Sequence, residues 1–459
     1  MRVGVVGGGL AGVTAALRCA DAGAEVTLLE ARPRLGGVAG SFRRGELDVD
    51  TGQHVFLRCC TSYRALLDRL GVVDLVTLQE RLDIPVHVPG RRPARLRRSG
   101  LPAPLHLAGA LLRYRPLPVA DRVRLVGAAL ALRGVDPRTA DTETFGGWLA
   151  RHGQSPRAVE ALWDLVGIAT LNARAGDASL APAATVFRLG LLSDTAAGDI
   201  GWARVPLGRL HDDAAARALA GAGVTVHRGA KVRSLGPVTG GWEIRTEKED
   251  IVVEQVICAV PPAAAHRLLP EGALDLPPDW AEGLGRSPIV NVHVVYDRRV
   301  LDTPFAAGID SPVQWVFDRT GPSGVHRVHP APAQYVAVSL SAADDVIGEP
   351  VATIRARMLP ALAALLPAAR EARVLEFFVT REPEATFRPA PGTAALRPPA
   401  RTRLPGLTVA GAWTDTGWPA TMEGAVRSGE AAAETACGSA ARARKSVPRH
   451  RFPLTRGVA

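Results

Sequence analysis

The stretch RVGVVGGGLAGVTAALRCA, residues 2–20, decides the fold of this chain of 459 residues. Residues 2–6 have the apolar pattern of a short buried strand, and residues 13–20 have the pattern of a helix. The turn between them is of the G-x-G-x-x-G type and is made by Gly7, Gly9 and Gly12. In this context the turn lets the backbone approach a pyrophosphate and lets the helix pack closely on the strand.

A second strand pattern, residues 25–30, ends in an acid, Glu30, about 20 residues after the glycine turn. A carboxylate at this place accepts hydrogen bonds from ribose hydroxyls and repels a 2′-phosphate. The N-terminus of the intervening helix offers free N–H groups and a positive dipole end to the phosphates. The strand–turn–helix–strand unit therefore predicts a Rossmann-like dinucleotide-binding domain.

Further glycines follow Glu30 in two places, a glycine pair and the segment DVDTGQH at residues 48–54. A second glycine turn gives another close backbone approach to the same dinucleotide. This favours a flavin over a nicotinamide dinucleotide. The additional residues expected at the cofactor are Gly36, Gly37, Gly52 and Gln53.

The stretch VAGAWTDTGWPATMEGA, residues 409–425, is a second glycine-rich signature near the other end of the chain. Its pattern predicts a strand that ends at Gly411, then a loop, and then a helix from about Met422 through Ala433. N–H groups at that helix start can face the pyrimidine carbonyl of a flavin and stabilise the charge of its reduced form. If both ends of the chain bind one molecule, that molecule is large and almost permanently held, which predicts FAD.

The amino-acid composition further restricts the class of protein to which the chain can belong. A chain of this length predicts two or three domains, and 47% hydrophobic with 22% charged residues is ordinary for a globular protein. No apolar run is long enough for a transmembrane helix. Five scattered cysteines, an odd number, argue against a disulfide framework or a metal site and for the cytoplasm. Aromatic residues make up 5%, and with no recognised motif we expect no nucleic-acid binding.

The net charge of +10 comes almost entirely from arginine, and part of it lies in the last segment of the chain. We predict that residues 438–459 form a basic disordered tail. Two interpretations of the tail stay open: a solvated segment without a specific role, or contact with an anionic membrane surface at the inner face of the membrane.

The fold class predicted is α/β: a discontinuous Rossmann-like FAD-binding domain with an inserted α+β substrate domain. The FAD-binding domain takes residues 1–75, 205–265 and 390–437, and the substrate domain takes residues 76–204 and 266–389. Within the latter, residues 105–134 have helical spacing broken between Pro116 and Pro118. This pattern is typical either of a face through which a lipid enters or of an ordinary amphipathic helix. We also expect a strand at residues 289–296 and a helix at residues 351–366.

Three segments resemble one family of flavoproteins. TDTGWPATMEGAVRSG (residues 414–429), DTGQHVFL (residues 50–57) and WLARHGQ (residues 148–154) are similar to the squalene-associated FAD-dependent desaturases, understood as hydroxysqualene dehydroxylases. The resemblance runs from residue 1 to about residue 436. At a wider level the N-terminal part resembles the superfamily of amine oxidases and phytoene-type desaturases.

The resemblance implies reduction of hydroxysqualene to squalene in hopanoid biosynthesis, with a hydride from the flavin and an acid that protonates the leaving hydroxyl. It implies that the backbone of Val232 meets the adenine. The acid candidates are His54, Asp415 and Glu423, each of which also has a structural interpretation. No second G-x-G-x-x-G turn follows a strand, so we expect an external electron donor, whose identity stays open.

The chain departs from the family at two positions. Val38 stands where arginine commonly follows the glycine pair, so Arg32 or Arg34 would supply the charge that faces the phosphates. Ala412 stands where the family has an aspartate expected to bind the ribityl or phosphate region. We expect FAD to bind with a loss of about 1.5–3 kcal/mol for the missing charged hydrogen bond.

Three other functions compete with dehydroxylation. An oxidative carotenoid- or squalene-type desaturase needs the same cofactor and the same apolar channel. An amine oxidase commonly uses a lysine near the flavin, and the chain offers few candidates: Lys231, Lys248 and Lys445. The altered Gly411–Ala412 pair keeps open a non-enzymatic flavin scaffold.

Overall fold

The computed structural model describes residues 1–446, with side chains described through Gly438. Its strands, numbered in chain order, are β1 (Arg2–Val6), β2 (Glu25–Glu30), β3 (Ser41–Arg44), β4 (Leu47–Asp50), β5 (Val55–Leu57), β6 (Val76–Leu78), β7 (Asp83–His87), β8 (Ala94–Arg97), β9 (Ile200–Ala203), β10 (Thr225–Arg228), β11 (Val232–Val238), β12 (Gly241–Thr246), β13 (Asp250–Val253), β14 (Gln255–Cys258), β15 (Ser287–Tyr296), β16 (Phe305–Gly308), β17 (Trp315–Asp318), β18 (Gln334–Ser341), β19 (Val374–Thr386) and β20 (Leu407–Val409).

The α-helices are α1 (Leu10–Asp21), α2 (Thr61–Arg69), α3 (Ala108–Leu112), α4 (Val119–Leu132), α5 (Phe145–Arg151), α6 (Pro156–Ala158), α7 (Asp164–Leu171), α8 (Leu180–Phe187), α9 (Ala215–Gly221), α10 (Pro262–Leu268), α11 (Trp280–Gly283), α12 (Thr320–Ser323), α13 (Val351–Leu365) and α14 (Met422–Ser446). Three π-helical turns adjoin them at Val159–Trp163, Arg188–Leu192 and Arg209–Ala214. Short 3₁₀ turns lie at Val73–Leu75, Leu105–Leu107, Val325–Arg327, Pro367–Arg370 and Thr393–Leu396.

A five-stranded parallel sheet in the order β10–β2–β1–β14–β20 joins distant parts of the chain. Alternate side chains of β1 point to opposite faces, as the period of a strand requires. Val3 and Val5 pack with α1 and α14 in one core, whereas Val6 packs in a second core with the antiparallel sheet β11–β12–β13. The parallel sheet is therefore covered on both faces, and β20 brings the second glycine signature to its edge.

A seven-stranded mixed sheet in the order β19–β15–β18–β17–β16–β7–β8 carries the rest of the chain. Side chains of β15 on one face pack with α13, and helices α4 to α8 pack with β7 and β16 in another core. A small sheet, β5–β9–β6, lies on the predicted boundary between the two domains, because β5 belongs to one predicted segment and β6 to the other. The domain limits themselves stay a prediction.

The α/β fold class is confirmed, and so are the strand at residues 289–296 and the helix at residues 351–366, which are β15 and α13. The break near Pro116 and Pro118 separates α3 from α4. None of the helices in the described residues is long and apolar enough to cross a membrane.

The prediction for the C-terminal tail is wrong at its start. Helix α14 does not end near Ala433 or at residue 437 but continues to Ser446. Residues 438–446 consist largely of alanine and arginine, which are strong helix formers, and the next proline in the sequence is Pro448. The remainder of the predicted tail, residues 447–459, lies outside the described residues.

The packing of α1 on α14 gives a test of the fold. A Cβ atom on Gly429 would lie 2.2 Å from the carbonyl oxygen of Ala11. We therefore expect Gly429→Ala to force the helices apart and to lower the free energy of unfolding by about 1–3 kcal/mol in urea denaturation. The matched control is Gly438→Ala in the same helix, where a Cβ meets nothing within 4 Å. Equal stability of the two variants would contradict the close approach.

Candidate cofactor and active site

A cavity of about 1370 Å³ lies between the parallel sheet and the mixed sheet. Both glycine-rich signatures contribute to its wall, the first through Gly7 and Gly9 and the second through Gly411 and Met422. Pockets that hold one drug-sized ligand have volumes of about 300–1,000 Å³. The cavity is therefore large enough for a dinucleotide together with part of a second ligand.

The first glycine turn has the geometry of a phosphate cradle. Gly7 has φ +105°, and a Cβ on it would lie 2.5 Å from the carbonyl oxygen of Ala259. A Cβ on Gly12 would lie 1.8 Å from the carbonyl oxygen of Gly7, so only glycine allows α1 to start so close to β1. Gly12 acts in this packing and does not line the cavity. Gly9 caps α1 without a side-chain hydrogen bond, which leaves the first N–H groups of the helix facing the cavity.

The carboxylate of Glu30 is buried at the end of β2 and lines the cavity. One of its oxygens accepts the N–H of Gly8 at 2.6 Å, and the other accepts the N–H of Arg32 at 2.7 Å. Glu30 thus fixes the glycine turn as well as offering free lone pairs to a ribose. Val232 lies at the same end of the cavity, because the N–H of Ala230 donates to the carbonyl of Glu30 at 2.9 Å.

The second glycine pair lies directly on the first turn. The N–H of Gly36 donates to the carbonyl of Gly8 at 2.8 Å, and a Cβ on Gly37 would lie 3.3 Å from the Cα of Gly9. Arg32, which precedes the glycine pair in the chain, lines the cavity. Arg34 does not line it, since its guanidinium donates to the carbonyl of Ser41 at 2.7 Å.

A buried ion pair holds the segment 51–54 at the cavity wall. Asp50 accepts a hydrogen bond from Arg319 at 2.5 Å and another from the N–H of Leu207 at 2.9 Å. Asn291 of β15 donates to the carbonyl of Thr51 at 3.3 Å. Gly52, Gln53 and His54 line the cavity next to these anchors.

His54 is the one among the three predicted acid candidates that the structure brings to the cavity. Burial lowers the pKa of His54 below the ordinary value of 6.5. The ring is therefore neutral at pH 7. Its Nδ1 lies 3.1 Å from the carbonyl oxygen of Gly52, so Nδ1–H is the donor there and Nε2 is left as an acceptor. In this state His54 is suited to accept a proton or a hydrogen bond.

The other two acid candidates do not line the cavity. Glu423 is buried and accepts the N–H groups of Ser62 and Tyr63 at the start of α2, at 3.2 and 2.8 Å, and it also pairs with Arg427 at 2.6 Å. It therefore stabilises the start of α2. Asp415 is exposed and accepts the N–H of Gly417 at 3.2 Å within its own loop.

Arg397 organises the second glycine signature and was not found from the sequence. Its guanidinium donates to the carbonyls of Thr414 and Trp418, both at 2.7 Å, and to that of Ala412 at 3.3 Å. Burial lowers its pKa below the ordinary value. One partly buried cation therefore holds the loop that places Ala412 at the cavity wall.

The far end of the cavity is mostly apolar. Its lining there is Leu57, Leu82, Ile84, Val166, Val186, Leu191, Phe305 and Trp315. A strip of polar side chains on the mixed sheet adjoins it, and in β19 these alternate as Glu382, Glu384 and Thr386. Glu382 was also missed from the sequence, although alternation along a strand was the signal that could have indicated it.

This arrangement defines a dinucleotide-binding flavoprotein: the glycine cradle fits the phosphates of FAD, and the rest of the cavity adjoins an apolar chamber. The chain belongs to the family of flavin containing amine oxidoreductases, which it matches over residues 10–437. It is accordingly an FAD-dependent oxidoreductase, as the sequence predicted.

Relatives fall into two groups by name. The chain is 30% identical to a hydroxysqualene dehydroxylase of Rhodopseudomonas palustris, over 94% of this chain and 97% of that one. It is 24% identical to a zeta-carotene desaturase of Synechocystis, over 97% and 99%. Among solved structures, cyclohexylamine oxidase from Brevibacterium oxydans has the same fold with a TM-score of 0.70 at 20% identity, covering 96% and 99%.

Removal of the Glu30 carboxylate tests the cradle. Glu30→Ala loses the charge-assisted hydrogen bond that holds the N–H of Gly8 in the turn, worth about 1.5–3 kcal/mol, so we expect FAD affinity to fall by about 10- to 150-fold. The measurement is titration of the apoprotein with FAD followed by flavin fluorescence. Glu25→Ala, at the exposed start of the same strand, is the control and should bind FAD as the unchanged protein does. Unchanged affinity in Glu30→Ala would contradict this role.

The role of Arg397 is tested by Arg397→Lys. A single ammonium group cannot reach the set of carbonyls that the planar guanidinium spans, so we expect the loop to loosen and FAD affinity to fall about tenfold. Hydrogen exchange of residues 411–418 should rise in parallel. Arg403→Lys, an exposed arginine paired with Asp275, should change neither quantity. A loop that exchanges at the same rate in both variants would show that Arg397 does not hold it.

Proposed function

We propose that the enzyme reduces hydroxysqualene to squalene by reductive dehydroxylation, as a step of hopanoid biosynthesis. The observation that carries the proposal is one continuous cavity with a dinucleotide cradle at one end and an apolar chamber at the other. The full-length similarity to a hydroxysqualene dehydroxylase supports the substrate. A long isoprenoid fits such a chamber because its binding depends on apolar burial, with few polar contacts.

Reduced FAD, when bound, would supply a hydride, which brings both electrons of the new C–H bond as the C–O bond breaks. The hydroxyl group leaves with a proton as water, so an acid or an equivalent proton source is required. The residues proposed to hold the cofactor are those of the two glycine turns with Glu30, the segment Gly52–Gln53, Val232, Gly411 and Met422. The apolar side chains exclude water from the reacting carbon.

We propose Glu382 as the proton donor. Glu382 lies opposite Ile289 in the β15–β19 pairing, two residues along β15 from Asn291, whose side chain contacts the segment that carries His54. The carboxylate of Glu382 forms no hydrogen bond or ion pair with the described residues. Glu382 lines the cavity, so its carboxyl group can contact a ligand bound there. His54, neutral at pH 7, is suited to accept the hydroxyl hydrogen bond of the substrate.

Anaerobic incubation of photoreduced enzyme with hydroxysqualene tests the reaction. We expect flavin reoxidation with one squalene formed per flavin oxidised. The alternative function is an oxidative desaturase, favoured by the similarity to zeta-carotene desaturases over almost the whole chain. Reduction of the oxidised flavin by squalene or by a carotene precursor, with no reoxidation by hydroxysqualene, would establish the desaturase instead. No turnover by a fully FAD-loaded protein with any of these compounds would favour the scaffold.

Amine oxidation is the weaker proposal, although the family carries that name. Lys231 adjoins Val232 at the Glu30 end of the cavity, and Lys248 lies in the exposed turn between β12 and β13. Lys445 lies beyond the described side chains. We further propose that the enzyme works in the cytoplasm at the inner face of the membrane, with an external electron donor.

Glu382→Gln tests the proton donor. If Glu382 donates the proton, single-turnover reoxidation by hydroxysqualene should slow by about 10²–10⁴-fold, with reduction of the flavin by dithionite unchanged. The matched control is Glu384→Gln, two positions further along β19. Glu384 is exposed, and its carboxylate lies 3.7 Å from the guanidinium of Arg286. Equal rates for the two variants would show that Glu382 is not the proton donor. They would not contradict the proposed dehydroxylation itself.

A further inference from the structure

Helix α4 is apolar on two opposite sides. Its inner side, with Leu125, Ala128 and Leu132, is buried in the core that contains α5 to α8. Its outer side repeats the same spacing with exposed side chains, namely Val119, Val123, Val126 and Leu130. A helix that is hydrophobic on all sides is normally enclosed by protein or by lipid. The outer side of α4 lacks such a cover among the described residues.

Neighbouring segments extend this apolar surface. Helix α3 packs beside α4, and exposed leucines of α3 and of the chain before it point outward. We call the whole set the α3–α4 face: Leu101, Leu105, Leu112, Val119, Val123, Val126 and Leu130. Each of these side chains is between 45% and 70% exposed. Single exposed apolar residues are ordinary, but a contiguous set of this kind marks an interaction surface.

Arginine is the main charged residue around the face, and part of this positive charge has no acidic partner among the described residues. Between residues 84 and 135 the arginines are Arg91, Arg92, Arg95, Arg97, Arg98, Arg113, Arg115, Arg122, Arg124 and Arg133. The acidic residue of the same segment, Asp121, is buried and accepts a hydrogen bond from Ser155 at 2.6 Å. Asp83 pairs with Arg95 and Arg97, and Asp199 pairs with Arg98, so these three arginines are neutralised. Arg113, Arg115 and Arg133 are exposed and form no ion pair with the described residues. The face is therefore complementary to a negatively charged partner with an apolar interior.

The face also adjoins the substrate chamber. Leu125 and Leu132 of α4 share one core with Ile84, Val186 and further side chains that line the cavity. One buried core therefore connects the inner side of α4 to the wall of the chamber.

We propose that the α3–α4 face binds the surface of an anionic phospholipid bilayer, with α4 lying in the interface and the arginines contacting lipid phosphates. Amphipathic segments with basic and apolar residues bind such interfaces through buried apolar area and charge attraction. A second copy of the chain is the weaker partner, because two such faces would place like charges against each other. The inference rests on the membrane location proposed above and names the surface responsible for it, and it does not depend on the substrate.

Vesicle flotation of the full FAD-loaded protein tests the proposal. The unchanged protein should float with vesicles of phosphatidylglycerol and phosphatidylcholine, and its binding should weaken with added salt. Val123→Asp with Leu130→Asp should reduce binding by at least about tenfold. The matched control carries the same charge change elsewhere, as Val252→Asp with Val351→Asp, both exposed valines outside the face. Flavin absorbance and dithionite reduction should be the same in all proteins, which establishes that they are folded.

Residues 447–459 are present in every variant, so a specific loss in the first variant assigns binding to the α3–α4 face. Hydrogen exchange should show protection of residues 101–133 on addition of anionic vesicles. Equal binding of both double variants, or no binding of the unchanged protein, would overturn the proposal. A dimer that the first variant dissociates, without vesicle binding, would overturn it in favour of a second copy. None of these results depends on dehydroxylase activity.

Discussion

The backbone of Gly9 lies between α1 and the turn at Gly36–Gly37, and this close approach is the constraint on which the rest of the structure depends. A Cβ on Gly37 would lie 3.3 Å from the Cα of Gly9, and a Cβ on Gly12 would overlap the carbonyl of Gly7. Because no side chain separates these segments, peptide N–H groups and a helix N-terminus are free to face an anion. The parallel sheet then fixes where strands β2, β14 and β20 end around that anion site.

The charged side chains inside the fold mainly form hydrogen bonds that fix the position of backbone segments. Glu30 accepts the N–H of Gly8 in the first signature and that of Arg32 just after β2, and Arg397 donates to carbonyls of the second signature. The Asp50–Arg319 pair and Asn291 hold the segment that carries His54. These charges thus position stretches of main chain at the cavity, whereas the far end of the lining is mostly apolar with Glu382 and Glu384 beside it. Such a division suits a cofactor that carries the redox chemistry and a substrate that offers few polar groups.

The fold was predictable from the sequence because its signals are local. The glycine turn, the acid at the end of β2 and the glycine pair each follow from spacing within a short segment. Arg397 was not predictable, because its role depends on which distant segments pack against it. Alternation along β19 could have placed Glu382 on one face of a strand, but its position at the cavity also depends on distant packing. The same holds for Glu423, whose partners at the start of α2 lie more than 350 positions away. Helix α14 was underestimated because a basic composition suggested a solvated tail, whereas alanine and arginine also favour helix.

The central claim is that the two glycine-rich ends of the chain bind one FAD together. Hydrogen exchange of the apoprotein at increasing FAD concentrations measures this most directly. We expect peptides covering residues 7–12 and residues 411–422 to gain protection together, with the same dependence on FAD concentration and one FAD bound per chain. Protection of the first segment alone, or protection of the two segments at clearly different FAD concentrations, would contradict it.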